Sequence, residues 1–303
     1  MPEPRQSEKP EACEAMNVGN VYDRSSAKTT GRHKRSRGGD LLRSRRGSGM
    51  KGYELFLLGM AALAGGGVNA LAGGGTLITF PTLTAIGIPA VAANVTNTVA
   101  LCPGYLSGTF AQSADLRGKR PRLWLLALAS MAGGVAGGVL LLHTGEHTFR
   151  KLVPYLILLA AALLAVQEPL RARLARGGGT PAPGGTGGDG MTALSVGAAA
   201  VYGGYFGAGL GVMLLAVLGL VRHESLTRLN AYKQFASFFA NTAAALFFLF
   251  SGKVVWSAMA VMAVGALLGG SLGGRMAGWI RPATLRWSVV CAAVAIAFTY
   301  FLT

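Results

Sequence analysis

Residues Leu63–Pro81 read LAGGGVNALAGGGTLITFP, and this stretch decides the fold class. Its apolar residues suit the interior of a lipid bilayer, which a helix spans with about 20 apolar residues. Its two glycine triplets do not suit a helix, because each glycine costs about 1 kcal/mol relative to alanine inside one. We therefore expect a membrane segment whose helix is interrupted within its length.

The composition of the 303-residue chain is typical of a membrane protein. Hydrophobic residues make up 51% and charged residues only 13%, about half the charged fraction of soluble domains. Apolar runs of nearly spanning length recur along the chain, among them Leu123–Leu142 and Phe235–Phe250. The predicted fold class is an all-α polytopic membrane protein of the cell (cytoplasmic) membrane, with about 8–10 membrane segments.

The net charge of +16 raises the question of a nucleic-acid partner. Much of this charge lies in the first 51 residues and in short loops such as Asp115–Arg122 and Arg171–Arg176. Basic loops beside apolar spans follow the positive-inside rule, and no aromatic residues interleave with them. The expected partners are therefore the lipid bilayer and a small anionic solute, not nucleic acid, and the oligomeric state stays open.

The chain resembles itself at an offset of 136 residues. The glycine breaks align, the GGVAGG run (133–138) aligns with GGSLGG (269–274), and both are followed by an aligned arginine. Such internal repeats are common in secondary transporters. The aligned pairs are Gly73 with Gly209, Gly75 with Gly211, Asn94 with Asn230, and Arg150 with Arg286.

These matches divide the chain into domains. Residues 51–170 and 191–303 are predicted to be two homologous transmembrane repeats, joined by a Gly/Pro linker at 171–190. Residues 1–50 are predicted to be a disordered basic tail, and Met50 is an alternative start of translation. An odd number of crossings per half places nearly all basic loops on one side, which favours inverted repeats with those loops in the cytoplasm.

The glycine breaks are predicted to form a binding site. A helix that restarts after a break presents free N–H groups and a positive dipole end, and paired broken helices mark the binding sites of transporters. Polar residues follow each break and support this prediction; the alternative interpretation is that they are interfacial helix caps. The GGVAGG and GGSLGG runs are instead expected to serve helix packing. The predicted substrate-binding residues are Gly73, Gly74, Gly75, Thr76, Asn94, Asn97, Gly209, Gly211, Asn230, Lys233 and Gln234.

The glycine-rich stretch that runs on as PTLTAIGIPAVAANVTNTVA, together with GYFGAGLGVMLL in the second half, resembles the TauE/SafE family of sulfite exporters. The resemblance covers residues 52–303. It implies a multi-pass transporter of small anions such as sulfite, organosulfonates, or related sulfur or carboxylate compounds. The second-half segment RHESLTR (222–228) is more charged than its counterpart GIPAVAA (87–93), so the two halves of the site need not be equivalent.

Two other functions fit parts of the sequence. The same helix ends would also build an anion channel. The segment HTGEH (143–147) matches the HxxEH pattern of zinc proteases and would suit a membrane metalloenzyme, but a Thr-Gly pair interrupts it and no third ligand is evident. No nucleotide or other cofactor motif is present, so we expect a transporter without a cofactor rather than an enzyme.

Overall fold

The computed structural model describes residues 50–71, 73–111, 120–177, 188–222, 224–276 and 282–302. The predicted tail lies outside the described residues except for Met50, as do residues 178–187 of the predicted linker. Residues 171–177, predicted to be part of the linker, form the end of a helix. Their sequence, RARLARG, consists mainly of good helix formers, so the Gly/Pro-rich segment starts later than predicted.

All secondary-structure elements in the described part of the chain are helices, as the composition predicted. The helices are α1 (Gly52–Leu71), α2 (Thr76–Ala85), α3 (Ala90–Ala111), α4 (Arg120–Ala165), α5 (Gln167–Gly177), α6 (Asp189–Tyr205), α7 (Leu210–Val221), α8 (Leu226–Leu249), α9 (Trp256–Met276) and α10 (Pro282–Leu302).

The longest helix, α4, is broken at Gly145, whose φ of 73° and ψ of 161° are not helical. The break divides α4 into a first arm (120–144) and a second arm (146–165), each about as long as one membrane crossing requires. By length and hydropathy alone, one described helical stretch, Leu123–Arg176, is long enough to span a bilayer, and it includes this break. The shorter apolar helices are Thr76–Ala85, Leu210–Val221, Trp256–Leu272 and Arg286–Leu302.

The two glycine breaks lie at the tips of two helical hairpins. In the first, a Cβ on Gly65 of α1 would lie 2.7 Å from the Thr79 side chain and 3.1 Å from the Gly75 carbonyl oxygen, so α2 folds back along α1. In the second, Arg222 follows α7 and donates a 2.6 Å hydrogen bond to Asp189 at the start of α6. The chain therefore enters and leaves each hairpin at the same end.

Glycines let helices pack backbone to backbone, with α9 against α1 and the first arm of α4 against α6. A Cβ on Gly269 would clash with the backbone of Leu63, and a Cβ on Gly133 would clash with the carbonyl group of Gly197. This close approach is the role expected of small residues between membrane helices. The prediction that these runs serve helix packing is confirmed for GGVAGG and for Gly269 of GGSLGG.

Gly134→Ala should destabilise the protein by about 1–3 kcal/mol, because the added methyl group overpacks the helix interface. Its Cβ would clash with the backbone of Ala240 in α8, which cannot move as a side chain can. Gly104→Ala is the matched control: Gly104 also lies within a helix, but no atom is within 4 Å of its Cβ position. Thermal unfolding in detergent should show loss of stability for Gly134→Ala alone, and equal effects would contradict this packing.

Helices α3 and α8 form an antiparallel pair between the two sets of packed helices. The Asn241 side chain donates to the Thr98 carbonyl oxygen at 3.2 Å, and the Thr109 hydroxyl donates to the Gln234 carbonyl oxygen at 3.3 Å. Residue numbers fall along α8 as they rise along α3, so the pair is antiparallel. Polar side chains on this pair are held next to the broken helices.

Candidate functional site

Each glycine break depends on a residue in the left-handed region of backbone space. Gly73 has a φ of 78° and Gly209 a φ of 75°, a conformation that costs other residues about 1–2 kcal/mol. Gly73 ends α1, and its N–H donates to the carbonyl groups of Val68 and Asn69, both at 3.1 Å. Gly209 is the N-cap of α7. Both interruptions therefore lie at the positions that the sequence singled out.

The helices that restart after the breaks have no side-chain caps. The N-cap residues of α2 and α7 are Gly75 and Gly209. The first N–H groups of a helix lack intrahelical partners, and the summed peptide dipoles give that end a partial positive charge. Several of these N–H groups, among them those of Leu77 and Leu210, already donate to carbonyl groups of the break. What each break offers to an anion is therefore chiefly the positive end of the helix dipole.

Both breaks pack against the second arm of α4. A Cβ on Gly74 would lie 3.0 Å from Leu164, and a Cβ on Gly209 would lie 3.4 Å from both Ala160 and Leu163. Helices α2 and α7, both fully described, do not contact each other. The two breaks therefore lie on neighbouring turns of one helix and are not in direct contact.

Asn94 connects α3 to the second break. Its side chain is fully buried, and its Nδ2 donates to the carbonyl oxygen of Tyr205 at 2.9 Å, at the end of α6. This bond fixes the orientation of the amide, because a carbonyl oxygen requires the NH₂ group. The Oδ1 atom is left buried with no hydrogen-bond partner. The Oδ1 atom of Asn94 can therefore accept a hydrogen bond from a donor that the described residues do not supply.

Asn97 is the second unsatisfied side chain of α3. It is 1% exposed, and its Oδ1 atom has no hydrogen-bond partner. Asn97 lies three residues after Asn94, so the two side chains share one face of the helix. A buried polar atom without a partner costs about 1–3 kcal/mol. Two such atoms on one helix face, which meets the second break through Asn94, leave two acceptors that a hydrogen-bond donor would satisfy.

The alternative interpretation of these asparagines as helix caps is wrong. The N-terminal amides of α3 are capped by Glu146, whose carboxylate accepts from Ala90 at 2.5 Å and from Val91 at 3.0 Å. The asparagines lie inside the helix bundle and bond elsewhere or not at all. In α8 the cap is Ser225, whose hydroxyl accepts from the N–H of Arg228 at 3.5 Å.

The second-half residues lie in a different place. Lys233 Nζ donates to Asn230 Oδ1 at 3.3 Å, and Lys233 Cδ is 3.7 Å from the position of a Cβ on Gly211 at the start of α7. Gln234 contributes its main-chain carbonyl oxygen to the bond with Thr109. Lys233 therefore lies beside the second broken helix, close to its restart.

The structure does not bring all predicted site residues together. On the antiparallel α3–α8 pair, Asn230 lies past the level of Thr109, which is 15 residues after Asn94 in α3. At 1.5 Å per residue, Asn230 is therefore at least roughly 22 Å from Asn94 along the helix axis. The predicted set therefore divides into a group around Asn94 and Asn97 and a group around Lys233. Antiparallel packing separates them, because equivalent positions of the two halves then lie at opposite ends.

Further polar residues of the bundle were missed by sequence reasoning. Asn69 lies close to the hydroxyl of Tyr105, and Ser237 has a buried hydroxyl without a hydrogen-bond partner. Asn241 bonds to α3 as described. Polar residues within membrane spans are costly and tend to be functional, so Ser237 and Asn241, inside the apolar run FASFFANTAAALFF, carried a signal in the sequence.

The HTGEH segment has a structural role. Gly145 breaks the helix between His143 and His147, both of which are exposed. The acid of the motif, Glu146, is engaged in capping α3. Among the described residues, no group of three or more His, Cys, Asp or Glu side chains could hold a metal ion. The geometry thus gives the metalloenzyme alternative no support.

Glu146→Gln should destabilise the protein by about 1–2 kcal/mol, because it replaces a charge-assisted cap with a neutral one. His147→Ala is the control, since the cap does not use that exposed side chain. Chemical unfolding monitored by tryptophan fluorescence would compare the variants. A larger loss of stability in His147→Ala than in Glu146→Gln would overturn the assignment of Glu146 as the cap.

Comparison with known proteins adds the family to this geometry. The family model described as "Sulfite exporter TauE/SafE" matches residues 57–300. The chain belongs to this family. The match includes both glycine breaks, the α3–α8 pair and both arms of α4. No solved structure matches the chain.

Relatives of this TauE/SafE protein are named as membrane transporters. "Probable membrane transporter protein YfcA" of Escherichia coli K12 is 25% identical over 228 residues, covering 73% of this chain and 80% of the relative. A "Probable membrane transporter protein" of Haemophilus influenzae is 28% identical over 234 residues, covering 73% and 83%. "Probable membrane transporter protein ORF9" of a Sinorhizobium species is 26% identical over 227 residues, covering 74% and 83%.

Family membership makes this TauE/SafE protein a membrane protein, in agreement with the composition. It also places the protein among membrane transporters, as the sequence predicted. The all-helical structure of the described residues is consistent with this membership.

Proposed function

We propose that the protein is a secondary transporter that exports a small anion across the cytoplasmic membrane. Its substrate is sulfite, an organosulfonate, or a related sulfur or carboxylate compound. The observation that carries the proposal is the pair of buried, unpartnered oxygen atoms of Asn94 and Asn97 beside a broken helix. Unsatisfied buried polar atoms are destabilising, and a bound solute would satisfy them.

The arrangement of helices supports two inverted repeats. Helices α3 and α8 begin at Ala90 and Leu226, and α4 and α9 begin at Arg120 and Trp256, in both cases 136 residues apart. The packing is reciprocal: α1 of the first half packs on α9, while α6 of the second half packs on the first arm of α4. The equivalent helices α3 and α8 are antiparallel. Halves of this kind form many transporters, with the binding site between them.

The topology that follows is one hairpin and three crossing segments per half. The crossing segments are α3 and the two arms of α4, then α8, α9 and α10. Arg171, Arg222 and Arg286 lie at the end where the second arm of α4 ends, whereas Arg150 and Lys253 lie at the opposite end. By the positive-inside rule the arginine-rich end is cytoplasmic.

The chemistry of the site favours an oxyanion with a hydrogen-bond donor. The N–H groups after Gly209 and the dipole of α7 favour negative charge. Asn94 Oδ1 and Asn97 Oδ1 are acceptors, so their partner must donate. Hydrogen sulfite carries both a negative charge and a proton. An ordered water or a co-transported proton would serve the same two oxygen atoms when the substrate is fully ionised.

Uptake of radiolabelled sulfite into proteoliposomes tests this proposal. We expect saturable flux that is accelerated by unlabelled sulfite on the opposite side, because a carrier returns faster when loaded. The matched control is Ser195→Ala, since the hydroxyl of this half-buried residue donates to the Met191 carbonyl oxygen of its own helix. Its flux should equal that of the wild type.

Other outcomes would revise the proposal. Flux that neither saturates nor responds to sulfite on the opposite side would support the anion channel instead. An absence of sulfite flux, with carboxylate or sulfonate flux present, would retain a transporter and change its substrate. An absence of flux for every anion would reject anion transport.

A further inference from the structure

We propose that a groove between α1 and α9 binds one acyl chain of an anionic phospholipid, whose headgroup phosphate is held by Lys51. This feature, named the α1–α9 groove here, lies on the exposed side of the two helices. Its volume is about 630 Å³, within the range of roughly 300–1,000 Å³ that is typical of ligand pockets. The site does not depend on which solute the protein transports.

Helices α1 and α9 are parallel neighbours. A Cβ on Gly59 would lie 3.3 Å from the Val261 side chain, and a Cβ on Gly269 would clash with the backbone of Leu63. Residue numbers therefore rise together along the two helices. Gly59 and Gly265 both line the groove. Because neither has a side chain, space is left above the contact between the helices.

Large apolar side chains form the two walls of the groove. Phe56 and Met60 lie four residues apart on one face of α1, and Val264 and Leu268 have the same spacing on α9. All four line the groove and are at least half exposed. Every lining residue that the structure describes is apolar or glycine. Such a lining suits a hydrocarbon chain.

The length of the groove matches one leaflet of a bilayer. From Trp256, the first residue of α9, to the lining residue Leu268 is 12 residues, or about 18 Å along the helix. One leaflet is about 15 Å of a hydrocarbon core roughly 30 Å thick, which a helix of a second copy would have to cross completely. The groove therefore fits an acyl chain better than a partner helix.

Aromatic side chains mark the membrane interface at the open end of the groove. Tyr53 lies about one turn before Phe56, and Trp256 begins α9; both Tyr53 and Trp256 are more than half exposed. The Ser257 hydroxyl donates to Met50 Sδ at 3.3 Å, so the starts of the two helices lie together. Tyrosine and tryptophan are enriched at the level of the lipid headgroups. The groove thus opens where a phospholipid has its phosphate.

Lys51 supplies positive charge at this open end. Its side chain is exposed, and its Nζ lies 5.8 Å from the centre of the Tyr53 ring. Glu54, in the first turn of α1, is 8% exposed, and its carboxylate accepts from the main-chain N–H of Lys51 at 3.1 Å. Glu54 therefore caps the helix, while the Lys51 ammonium group lies beside Tyr53. Basic side chains at the membrane surface attract anionic lipids.

The position of Lys253 indicates which leaflet supplies the lipid. Lys253 is three residues before Trp256, so the open end of the groove is the end opposite to the arginine-rich one. In the proposed topology the arginine-rich end is cytoplasmic. The lipid therefore belongs to the outer leaflet.

The first test measures binding of brominated lipids to a full-length variant whose only tryptophan is Trp256. Bromine on an acyl chain in the groove should quench the fluorescence of Trp256. We expect phosphatidylglycerol to bind roughly five-fold more tightly than phosphatidylcholine with the same chains, the effect of one lysine near the headgroup. Lys51→Gln should remove this preference. The matched control is Lys151→Gln, an exposed lysine of α4, whose described residues do not contact α1 or α9.

The second test fills the groove. Ala260 lines the groove and is exposed, so the ring in Ala260→Phe should occupy part of it and weaken binding of both lipids at least five-fold. Ala136→Phe, which enlarges an exposed alanine of α4, is the control and should bind both lipids as the parent variant does. Unchanged binding in Ala260→Phe, or an undiminished preference in Lys51→Gln, would overturn the site. A dimer in detergent that becomes a monomer in Ala260→Phe would show that a second copy occupies the groove, and would also overturn it.

Discussion

Asn97→Leu should abolish saturable sulfite flux while leaving the protein at least as stable as the wild type. Leucine has the same branched shape and number of side-chain heavy atoms as asparagine, and it removes a buried oxygen that has no hydrogen-bond partner. Removing an unsatisfied buried polar atom typically recovers about 1–3 kcal/mol. If Asn97 served only to stabilise the fold, its replacement by leucine would not raise the stability of the protein. Loss of transport with gain of stability would therefore identify Asn97 as a ligand of the solute.

Asn241→Leu is the matched control for this variant. Asn241 is a mostly buried asparagine on the facing helix, and its Nδ2 donates to the Thr98 carbonyl oxygen at 3.2 Å. Its replacement leaves that bond unmade and should lower stability. Thermal unfolding and sulfite uptake measured on the same preparations would compare the two variants. Normal flux in Asn97→Leu would show that this side chain does not bind the transported anion.

Gly73→Ala and Gly209→Ala should each reduce sulfite flux at least ten-fold. At both positions φ is near 75°, where an alanine costs about 1–2 kcal/mol, so the backbone at the break must shift. At Gly209 the new methyl group would be in van der Waals contact with Ala160, 3.4 Å away. A shift of the break misdirects the N–H groups that we propose bind the anion.

Gly252→Ala separates backbone strain from function. Gly252 has a φ of 67°, and no atom is within 4 Å of its Cβ position. It follows α8, in a turn away from both breaks. The strain in Gly252→Ala should match that in Gly73→Ala, so the two variants should lose similar stability. Sulfite uptake should fall in Gly73→Ala but not in Gly252→Ala. An equal fall in the two variants would show that backbone strain alone causes the loss of uptake.

Several features of the structure were predictable because they depend on local chemistry. An apolar chain with few charges must pair its backbone groups internally, which favours helices. Glycine triplets in such a chain predict either close packing or an interruption, and both occur. Gly133 and Gly269 lie at helix contacts, while Gly73 and Gly209 take the left-handed conformation.

The arrangement of the site was not predictable in the same way. The sequence aligned Asn94 with Asn230 and suggested one shared site. It contained no information on how far apart the equivalent positions of antiparallel helices would lie. Nor did it indicate that Glu146, part of an apparent zinc motif, caps a helix that begins 56 residues earlier.

The sequence by itself determined the helical membrane class, the positions of the two glycine breaks and the excess of positive charge at one end. These follow from hydropathy, from the backbone freedom of glycine and from the placement of basic residues. Only the tertiary structure decided which side chains meet: Asn94 with the Tyr205 carbonyl group, and Arg286 with Glu168. The physical reason is that each of these contacts joins residues more than 100 positions apart. Helix packing, not local sequence preference, brings such residues together.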